Sequence, residues 1–369
     1  MAEYFQYGKF FMYIGLMSGT SLDGIDAALV DFDQEHPRLI ATRYNPFSPE
    51  LRQKIFDLCS PGLDEVNRLG ELDILLGKEF AATATALLTD NRRSNTEVRA
   101  IGSHGQTIRH HPERKFTLQI GDPNVIAAAT GITTVADFRR RDIALGGQGA
   151  PLVPAFHQAV FSAPETNRAI VNIGGIANIT VLNKDGATHG SDTGPGNTLL
   201  DAWIEQHQNK TYDANGEWAK SGVQQQKLLK QLLSDNFFHL PPPKSTGREY
   251  FNLTWLKKHI TQESPIDVQA TLVALTAHSI VNAIKKYFSS GEIFVCGGGA
   301  QNGFLLQQIQ HIAPEFSVNT TEKLGVHPDW VEAMAFAWLA KQTLEKKPGN
   351  LTAVTGAEKH TILGGVYFS

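Results

Sequence analysis

The sequence predicts an α/β protein made of two similar halves, and this prediction rests on a pattern of strand, glycine turn and strand that occurs twice. Residues 13–21 run from apolar residues into glycine and hydroxyl side chains, and residues 169–180 repeat the pattern in altered form. A third glycine cluster, residues 297–299, follows another apolar run. Strand-like runs alternate with longer helical patterns, as in α/β proteins. At 369 residues the chain has room for two or three domains.

The two glycine turns also indicate a ligand. Glycine has no Cβ, so its N–H group can approach an anion closely. Two such turns suggest that two halves grip one polyphosphate, and residues 297–299 would let a flat ligand lie against bare backbone. The alternative is a pair of ordinary β-hairpins, because hairpin turns favour Gly, Ser and Asp anyway.

The first half is expected to begin with this strand, turn and strand, followed by a mostly helical stretch over 49–90. Apolar residues in that stretch follow helical spacing, namely Leu63, Val66, Leu69, Leu72 and Leu76. Further short strands are predicted at 100–103, 116–120 and 132–136. Residues 137–154 are rich in arginine and glycine and lack a clear period, which predicts a hinge or ligand loop between the halves.

The second half is expected to open with the 169–182 hairpin, and Asn197 is placed to cap a helix. Spacing of apolar residues predicts a long amphipathic helix over 267–288. A strand over 293–296 then leads into the triple glycine, and a final helix is predicted over 328–346. No long linker separates the halves, so we expect them to meet along a cleft.

Composition excludes several classes of partner. The chain has 37 acidic and 33 basic residues, a net charge of −4, and no basic block that would follow a nucleic-acid backbone. Its two cysteines, Cys59 and Cys296, give no disulfide framework and favour a reducing compartment. The apolar run at 10–17 is too short for a signal peptide, and no run approaches the about 18 apolar residues of a membrane span. We expect a cytoplasmic protein without nucleic-acid or membrane partners.

Asp192 is the first candidate for chemistry. It lies in a Ser-Asp-Thr-Gly-Pro-Gly-Asn segment, residues 191–197, just before a predicted helix whose N-terminus favours anionic ligands. A carboxylate held there could act as a general base or a metal ligand. An Asx-turn residue is the alternative, although it does not explain the whole Gly-Pro-Gly-Asn frame.

Two further features suggest ligand contacts. Arg139, Arg140 and Arg141 lie beside the predicted hinge, where one guanidinium could clamp a substrate carboxylate, or all three could form a solvated basic loop. Glu332 lies on an otherwise apolar helix, where a carboxylate must be paired or face a cleft.

Three apparent motifs fail on inspection. Residues 244–248 resemble a phosphate loop but lack the Walker A frame. Residues 101–105 nearly match the hydrolase G-x-S-x-G elbow, but Ile101 occupies the first glycine position. The histidines at 104, 110 and 111 lack the spacing of a metal site.

Eight segments of the sequence together resemble the anhydro-N-acetylmuramic acid kinase family. They extend over nearly the whole chain and occur in the family's order. The matching segments are residues 15–26, 102–107, 136–142, 147–154, 172–175, 192–197, 244–249 and 296–300. The resemblance implies the hexokinase, actin and Hsp70-like superfamily, with two ribonuclease-H-like (actin-like ATPase) domains flanking a central cleft. The N-terminal domain would span 1–136, completed by 347–369, and the C-terminal domain 137–346.

The resemblance also implies an activity. The enzyme would use ATP and Mg²⁺ on 1,6-anhydro-N-acetylmuramic acid: water would open the ring at C1 while O6 takes the γ-phosphoryl group. The product would be N-acetylmuramic acid 6-phosphate, within peptidoglycan recycling and amino-sugar metabolism. A homodimer is allowed, while the sequence leaves the oligomeric state open.

Site residues carried over from the family fall into three groups. Asp192 matches the general base, and Arg140, Gln106 and Glu332 match substrate-binding positions. The superfamily often carries Asp where this chain has Met17 and Asn172, which puts metal placement in question, with Asp23 and Asp192 as the substitutes. The expected ATP-binding residues are Gly19, Thr20, Ser21, Leu22, Asp23, Gly24, Ile25, Asp26, Asn172, Gly174, Gly175, Gly297, Gly298 and Gly299.

Two rival functions remain open at the sequence level. A nucleotide-driven chaperone or filament protein could share the fold without a sugar pocket, and fold alone does not settle function. An ATP-independent sugar hydrolase or lyase could use Ser103 and His104.

Overall fold

The computed structural model describes residues 12–19, 21–33, 36–242 and 244–369. The strands are β1 (Met12–Ser18), β2 (Gly24–Asp31), β3 (Arg38–Pro46), β4 (Val98–His111), β5 (Phe116–Ile120), β6 (Thr134–Ala136), β7 (Arg168–Ile173), β8 (Ile176–Leu182), β9 (Thr188–Pro195), β10 (Gly291–Cys296), β11 (Phe316–Thr320) and β12 (Gly365–Tyr367).

The α-helices are α1 (Pro49–Leu58), α2 (Glu65–Asp90), α3 (Pro123–Thr130), α4 (Arg140–Ala144), α5 (Val153–Phe161), α6 (Thr198–Gln208), α7 (Glu217–Lys220), α8 (Gln226–Leu233), α9 (Asn236–His239), α10 (Leu253–Lys257), α11 (Pro265–Ile284), α12 (Gly303–Ile312), α13 (Val331–Leu344) and α14 (Thr352–Thr355). In the part of the chain that the structure describes, no helix is both long and apolar enough to cross a membrane.

The chain divides into two compact units. Unit 1 comprises Met1–Phe156 and Glu332–Ser369, and unit 2 comprises His157–Val331. These boundaries differ from the predicted ones, since 137–156 and 332–346 join unit 1. The reason for the second difference is the packing of α13, whose backbone lies directly on the sheet of unit 1. A Cβ at Gly15 would overlap Ala333 O, and a Cβ at Gly102 would overlap Phe336 O.

Both units contain a sheet with the same strand order. In unit 1, β3, β2 and β1 form an antiparallel meander, and β4 and β6 follow in parallel beside β1. In unit 2, β9, β8 and β7 form the meander, and β10 and β11 follow in parallel beside β7. This repeated order is that of the ribonuclease-H-like fold, so the predicted fold class is confirmed.

Unit 1 adds two strands to this plan. The strand β12 pairs antiparallel with β6, so the C-terminal segment extends the sheet, and β5 pairs with the outer part of the long β4.

Each unit has its own apolar core. In unit 2 the long helix α11 buries the expected face, which includes Val268, Leu272 and Leu275. In unit 1 the helix α2 buries Leu72 and Leu76 but not the first two residues of the predicted stripe. Leu63 is 92% exposed and Val66 is 84% exposed. The helix begins only at Glu65, so spacing alone extended the apolar face too far toward the N-terminus.

Residues 137–154, predicted as a hinge or ligand loop, contain α4 and are tied to the C-terminal part of unit 1. The anchor is Asp142, whose side chain is fully buried. One carboxylate oxygen accepts from Asn350 Nδ2 and Thr355 Oγ1, each at 2.8 Å, and the other accepts from Gly149 N at 2.8 Å. Three donors to one buried carboxylate fix the start of this segment firmly.

Candidate functional site

The first glycine turn joins β1 to β2 in unit 1. Ser21 Oγ donates to Asp23 Oδ1 at 2.5 Å, and Phe47 N donates to Asp23 O at 2.9 Å. Asp23 is exposed and Asp26 is half-buried on β2. Leu22 and Ile25 point into the core of unit 1, so any ligand contact there is limited to their backbone. Thr20 lies outside the described residues.

Gln106 supports this turn through hydrogen bonds of its side-chain amide. It is fully buried, and its Oε1 accepts from Ser18 Oγ at 2.7 Å. Its Nε2 donates to Gly19 O at 3.3 Å and to Thr107 O at 3.2 Å. Because these bonds occupy both ends of the amide, the geometry assigns Gln106 a supporting contact to the turn. Direct contact with a substrate stays a prediction.

A second buried network joins the turn to Arg139. His104 Nδ1 lies 2.8 Å from Gly105 O and 3.2 Å from Ser18 O. Carbonyl oxygens only accept, so Nδ1 carries the proton and Nε2 accepts from Arg139 Nη2 at 2.8 Å. Burial and the Arg139 charge lower the pKa of His104 to about 3. The imidazole therefore stays neutral and acts as a fixed bridge.

Arg139 is also the cation that interacts with Glu332. Its Nη1 donates to Gly149 O at 2.8 Å. Burial raises the pKa of the Glu332 carboxyl, and the charge of Arg139 opposes that rise. Burial lowers the pKa of Arg139 to about 10, and Glu332 and Asp142 oppose that change. Glu332 stands in the first turn of α13, whose close packing on the sheet fixes its position.

Sequence reasoning selected Arg140 from the arginine cluster and left Arg139 out of the candidate site. The sequence did indicate that Glu332 has a cationic partner, because a carboxylate on the apolar helix α13 needs one. Arg140 instead exposes 70% of its side chain and lies 3.3 Å from Asp137 Oδ2. It lines a hollow of about 530 Å³ together with Lys115, Phe116 and Arg141.

In unit 2 the strand β9 positions Asp192. A register shift opposite Ala177 and Asn178 interrupts the pairing beside it, and such bulges re-aim side chains. Asp192 N donates to Lys244 O at 3.0 Å, and Asp192 Oδ2 accepts from Thr246 N at 3.0 Å. Burial raises the pKa of Asp192 to about 6, against the opposing effects of Thr246 N–H and the Lys244 charge. A carboxylate of this kind is suited to accept a proton near neutral pH.

Lys244 lies near the Asp192 carboxylate, but its ammonium group interacts with Phe237. Its Nζ donates to Phe237 O at 2.6 Å and lies 4.2 Å from the centre of the Phe237 ring. Burial and the charge of Lys286 lower the pKa of Lys244 to about 8, and Asp192 opposes that change.

The second glycine turn and the triple glycine come together within unit 2. Gly297 has a φ of +75°, and a Cβ there would overlap Asn172 Oδ1. Gly299 packs as closely against Ile173. The structure therefore brings together the ATP-binding candidates of this unit, which sequence reasoning could only list separately.

The tip of the second turn is pinned to the start of α6. Gly174 O accepts from Asn197 N at 2.8 Å, and Gly175 O accepts from Gly196 N at 2.9 Å and Thr198 N at 3.0 Å. Asn197 was expected to cap α6 through its side chain. It occupies the N-cap position without a side-chain capping bond, and its backbone (φ −85°, ψ −15°) is helical instead of extended as in a typical N-cap. Its Nδ2 donates to Ile173 O at 3.3 Å.

Ser103 and His104 do not have the geometry of a nucleophile paired with a general base, as the hydrolase alternative requires. Ser103 is fully buried, and the described residues offer no hydrogen-bond partner to its Oγ. His104 is engaged by Arg139 and by backbone carbonyl groups. A hydrolase mechanism based on this pair therefore has no activated nucleophile.

Two units with the same strand order, each presenting a glycine turn, have the architecture of the actin-like ATPase fold. A family model for anhydro-N-acetylmuramic acid kinase matches residues 11–369. An anhydro-N-acetylmuramic acid kinase of Coxiella burnetii is 55% identical over 363 residues, covering 96% of this chain and 97% of the relative. One from Saccharophagus degradans is 52% identical over 365 residues, covering 96% and 98%. The chain belongs to the anhydro-N-acetylmuramic acid kinase family, and it is an ATP-using phosphotransferase.

Proposed function

We propose that the enzyme hydrolytically opens the 1,6-anhydro ring of 1,6-anhydro-N-acetylmuramic acid and phosphorylates O6. The product is N-acetylmuramic acid 6-phosphate, formed during peptidoglycan recycling. The names of the relatives support the substrate. The observation that supports this chemistry is the state of the Asp192 carboxylate. It accepts a hydrogen bond from the backbone N–H of Thr246, and burial raises its pKa to about 6.

The proposed reaction needs one base. Asp192 accepts a proton from water as the water oxygen bonds to C1 of the sugar. The C1–O6 bond breaks, and O6 attacks the γ-phosphorus of ATP, so ADP is the leaving group. Glycoside hydrolysis normally needs an acid to protonate the leaving oxygen. Here the phosphoryl group traps that oxygen, so a second carboxylate is not required.

Groups of unit 1 are proposed to bind the sugar. Glu332, held by Arg139, offers a carboxylate acceptor for hydroxyl or amide groups. Arg140 is exposed and can form a charge-assisted bond to the lactyl carboxylate of the substrate. Gln106 supports the first turn from its buried position.

ATP is proposed to use the glycine turns of both units. Mg²⁺ commonly binds one or two carboxylates together with phosphate oxygens and water. Asp23, exposed on the first turn, fits such a role, and Asp192 is the candidate in unit 2. The described residues contain no cluster of three or more potential ligands, which agrees with a metal held largely by phosphate. Mg²⁺ would neutralise charge on the transferring phosphoryl group.

A cytoplasmic location is proposed because ATP is a cytoplasmic metabolite and because Cys59 and Cys296 are both free thiols. A homodimer remains a prediction, which the mass of the protein in solution can test.

The deciding experiment is a coupled ATP assay with and without 1,6-anhydro-N-acetylmuramic acid, run in ¹⁸O-labelled water. We expect ADP release only with the sugar and one ¹⁸O atom at C1 of the product. ATP turnover that is independent of sugar would favour the chaperone or filament alternative. Ring opening without ATP would contradict the kinase mechanism.

A further inference from the structure

The segment 244–249 carries a motif that the proposed mechanism does not use. Its first part is fixed beside the proposed base, because Lys244 O and Thr246 N both bond to Asp192, each at 3.0 Å. Its fourth and fifth residues, Gly247 and Arg248, lead toward the second glycine turn. One short segment therefore contacts both the base and the phosphate-binding candidate of unit 2.

The guanidinium of Arg248 lies over Gly175. Its Nε and Nη2 are each 3.1 Å from the position that a Cβ of residue 175 would take. A Cβ at residue 175 would crowd the guanidinium, so glycine lets the arginine approach the backbone this closely. The peptide beneath is immobilised, since Gly175 O accepts from both Gly196 N and Thr198 N. The backbone beneath the guanidinium is therefore held in place.

An acidic partner accompanies this arginine. Asp201 stands in the first turn of α6, directly after the residues that pin the glycine turn. Burial raises the pKa of Asp201 to about 7, the charge of Arg248 opposes that rise, and Glu205 adds to it. Arg248 itself is exposed. The Arg248 side chain is therefore accessible to a ligand.

We propose that Arg248, whose guanidinium lies over Gly175, contacts the phosphates of the bound nucleotide at the second glycine turn. The inference rests on the proposed function, since it assigns a residue to the ATP site. A planar guanidinium matches phosphate oxygens in a bidentate fashion. Kinases and ATPases depend on such cations because phosphoryl transfer is governed by positioning and charge neutralisation. Lys244, the other cation of the segment, is committed to Phe237.

The test is calorimetric binding of ATP and of adenosine to the full chain and its variants. Arg248→Ala should weaken ATP binding by about 10- to 100-fold, the loss of charge-assisted hydrogen bonds. Adenosine affinity should change less than about twofold, because adenosine carries no phosphate. Arg248→Lys should recover part of the ATP affinity but not all of it, because lysine lacks the bidentate fork.

Two further variants separate a phosphate contact from a structural role. Arg52→Ala removes another exposed guanidinium, on α1, and should leave both affinities unchanged. Asp201→Asn keeps Arg248, so it should retain ATP binding to within about threefold. Circular dichroism establishes that each variant is folded. If Arg248→Ala does not fold, Arg248→Gln and Arg248→Lys decide the question by the same ratio of ATP to adenosine affinity.

Unchanged ATP affinity in the folded variants would overturn the inference and leave the proposed function intact. Equal losses for ATP and adenosine would also overturn it, because they would indicate a damaged loop. A wild-type chain that binds no ATP would instead overturn the proposed function, and the inference with it.

Discussion

The two units share one strand order but surround their glycine turns with different chemistry. In unit 1 the turn is held by buried neutral groups, the amide of Gln106 and the imidazole of His104, whose pKa is lowered to about 3. In unit 2 the neighbouring groups are ionisable near neutral pH, since the pKa of Asp192 is raised to about 6 and that of Asp201 to about 7. The same scaffold therefore holds its first turn with neutral groups in one unit and carries carboxyl groups with raised pKa values in the other.

The physical difference lies in what burial does to each type of group. An amide or a neutral imidazole can be buried at little cost once its hydrogen bonds are made. A carboxylate in the same position resists ionisation, so its pKa moves toward the range where it can exchange protons. We therefore expect a change at Asp192 in unit 2 to affect turnover, and changes at Gly15 and Arg140 in unit 1 to affect stability and sugar binding.

The largest effect is expected for Asp192→Asn. The amide keeps the shape of the side chain but cannot accept a proton, so kcat should fall by about 10²–10⁴-fold. Binding of ATP and sugar should change little, because a base acts mainly in the transition state. Single-turnover kinetics and calorimetry measure the two quantities separately. A variant with wild-type kcat would show that Asp192 is only a turn residue.

The second-largest effect is expected on the free energy of unfolding, through packing within unit 1. Gly15→Ala places a Cβ into Ala333 O on α13, and overpacking of this kind should lower the free energy of unfolding by about 3 kcal/mol or more. Urea denaturation measures it.

Gly70→Ala is the matched control for that substitution. Nothing lies within 4 Å of a Cβ at this exposed helical position, so alanine should stabilise the protein by about 0.5–1 kcal/mol. Equal effects of the two substitutions would contradict the close packing of α13 on the sheet.

Arg140→Ala tests binding by unit 1. Loss of a charge-assisted bond to the substrate carboxylate should raise the KM for the sugar by about 10- to 100-fold. The KM for ATP should stay within about threefold of wild type, as should both KM values for the control Arg52→Ala. Steady-state kinetics with each substrate varied in turn give these values. Similar increases for both substrates would point to a structural role for Arg140.

The smallest effect is the pH dependence of turnover. Asp192 must be ionised to act, and its pKa in the ligand-free enzyme is about 6. The value of kcat/KM, which reports groups of the free enzyme, should therefore fall about tenfold per pH unit below pH 6. The fall should not reflect unfolding through this group. Its folded-state pKa lies above the ordinary value of 3.8, so its protonation between about pH 6 and pH 4 favours the folded state. A pH profile of kcat/KM, with circular dichroism at each pH, tests both statements, and a flat profile down to pH 4 would contradict the role of Asp192 as the base.

The sequence predicted much of the fold because local patterns carried it. The hairpins around residues 15–26 and 172–180, the helix α11 and the strand β10 follow from apolar spacing and turn residues, which act between near neighbours. Where tertiary packing decides, the prediction was wrong: the apolar stripe of α2 did not include Leu63 and Val66, which are exposed. Similarly, Asn197 occupies the N-cap position of α6 but makes no side-chain capping bond, and its backbone is helical.

By itself, the sequence determined the class, the family and the candidate residues, since residue identity and order along the chain are enough to show these. Only the tertiary structure decided which of those residues are neighbours. It brought Glu332 close to Arg139 although their residue numbers differ by 193, placed Arg248 over Gly175, and assigned α13 to unit 1. The physical reason is that pKa values and hydrogen bonds depend on burial and on distances of a few ångströms, and contacts between distant segments fix both.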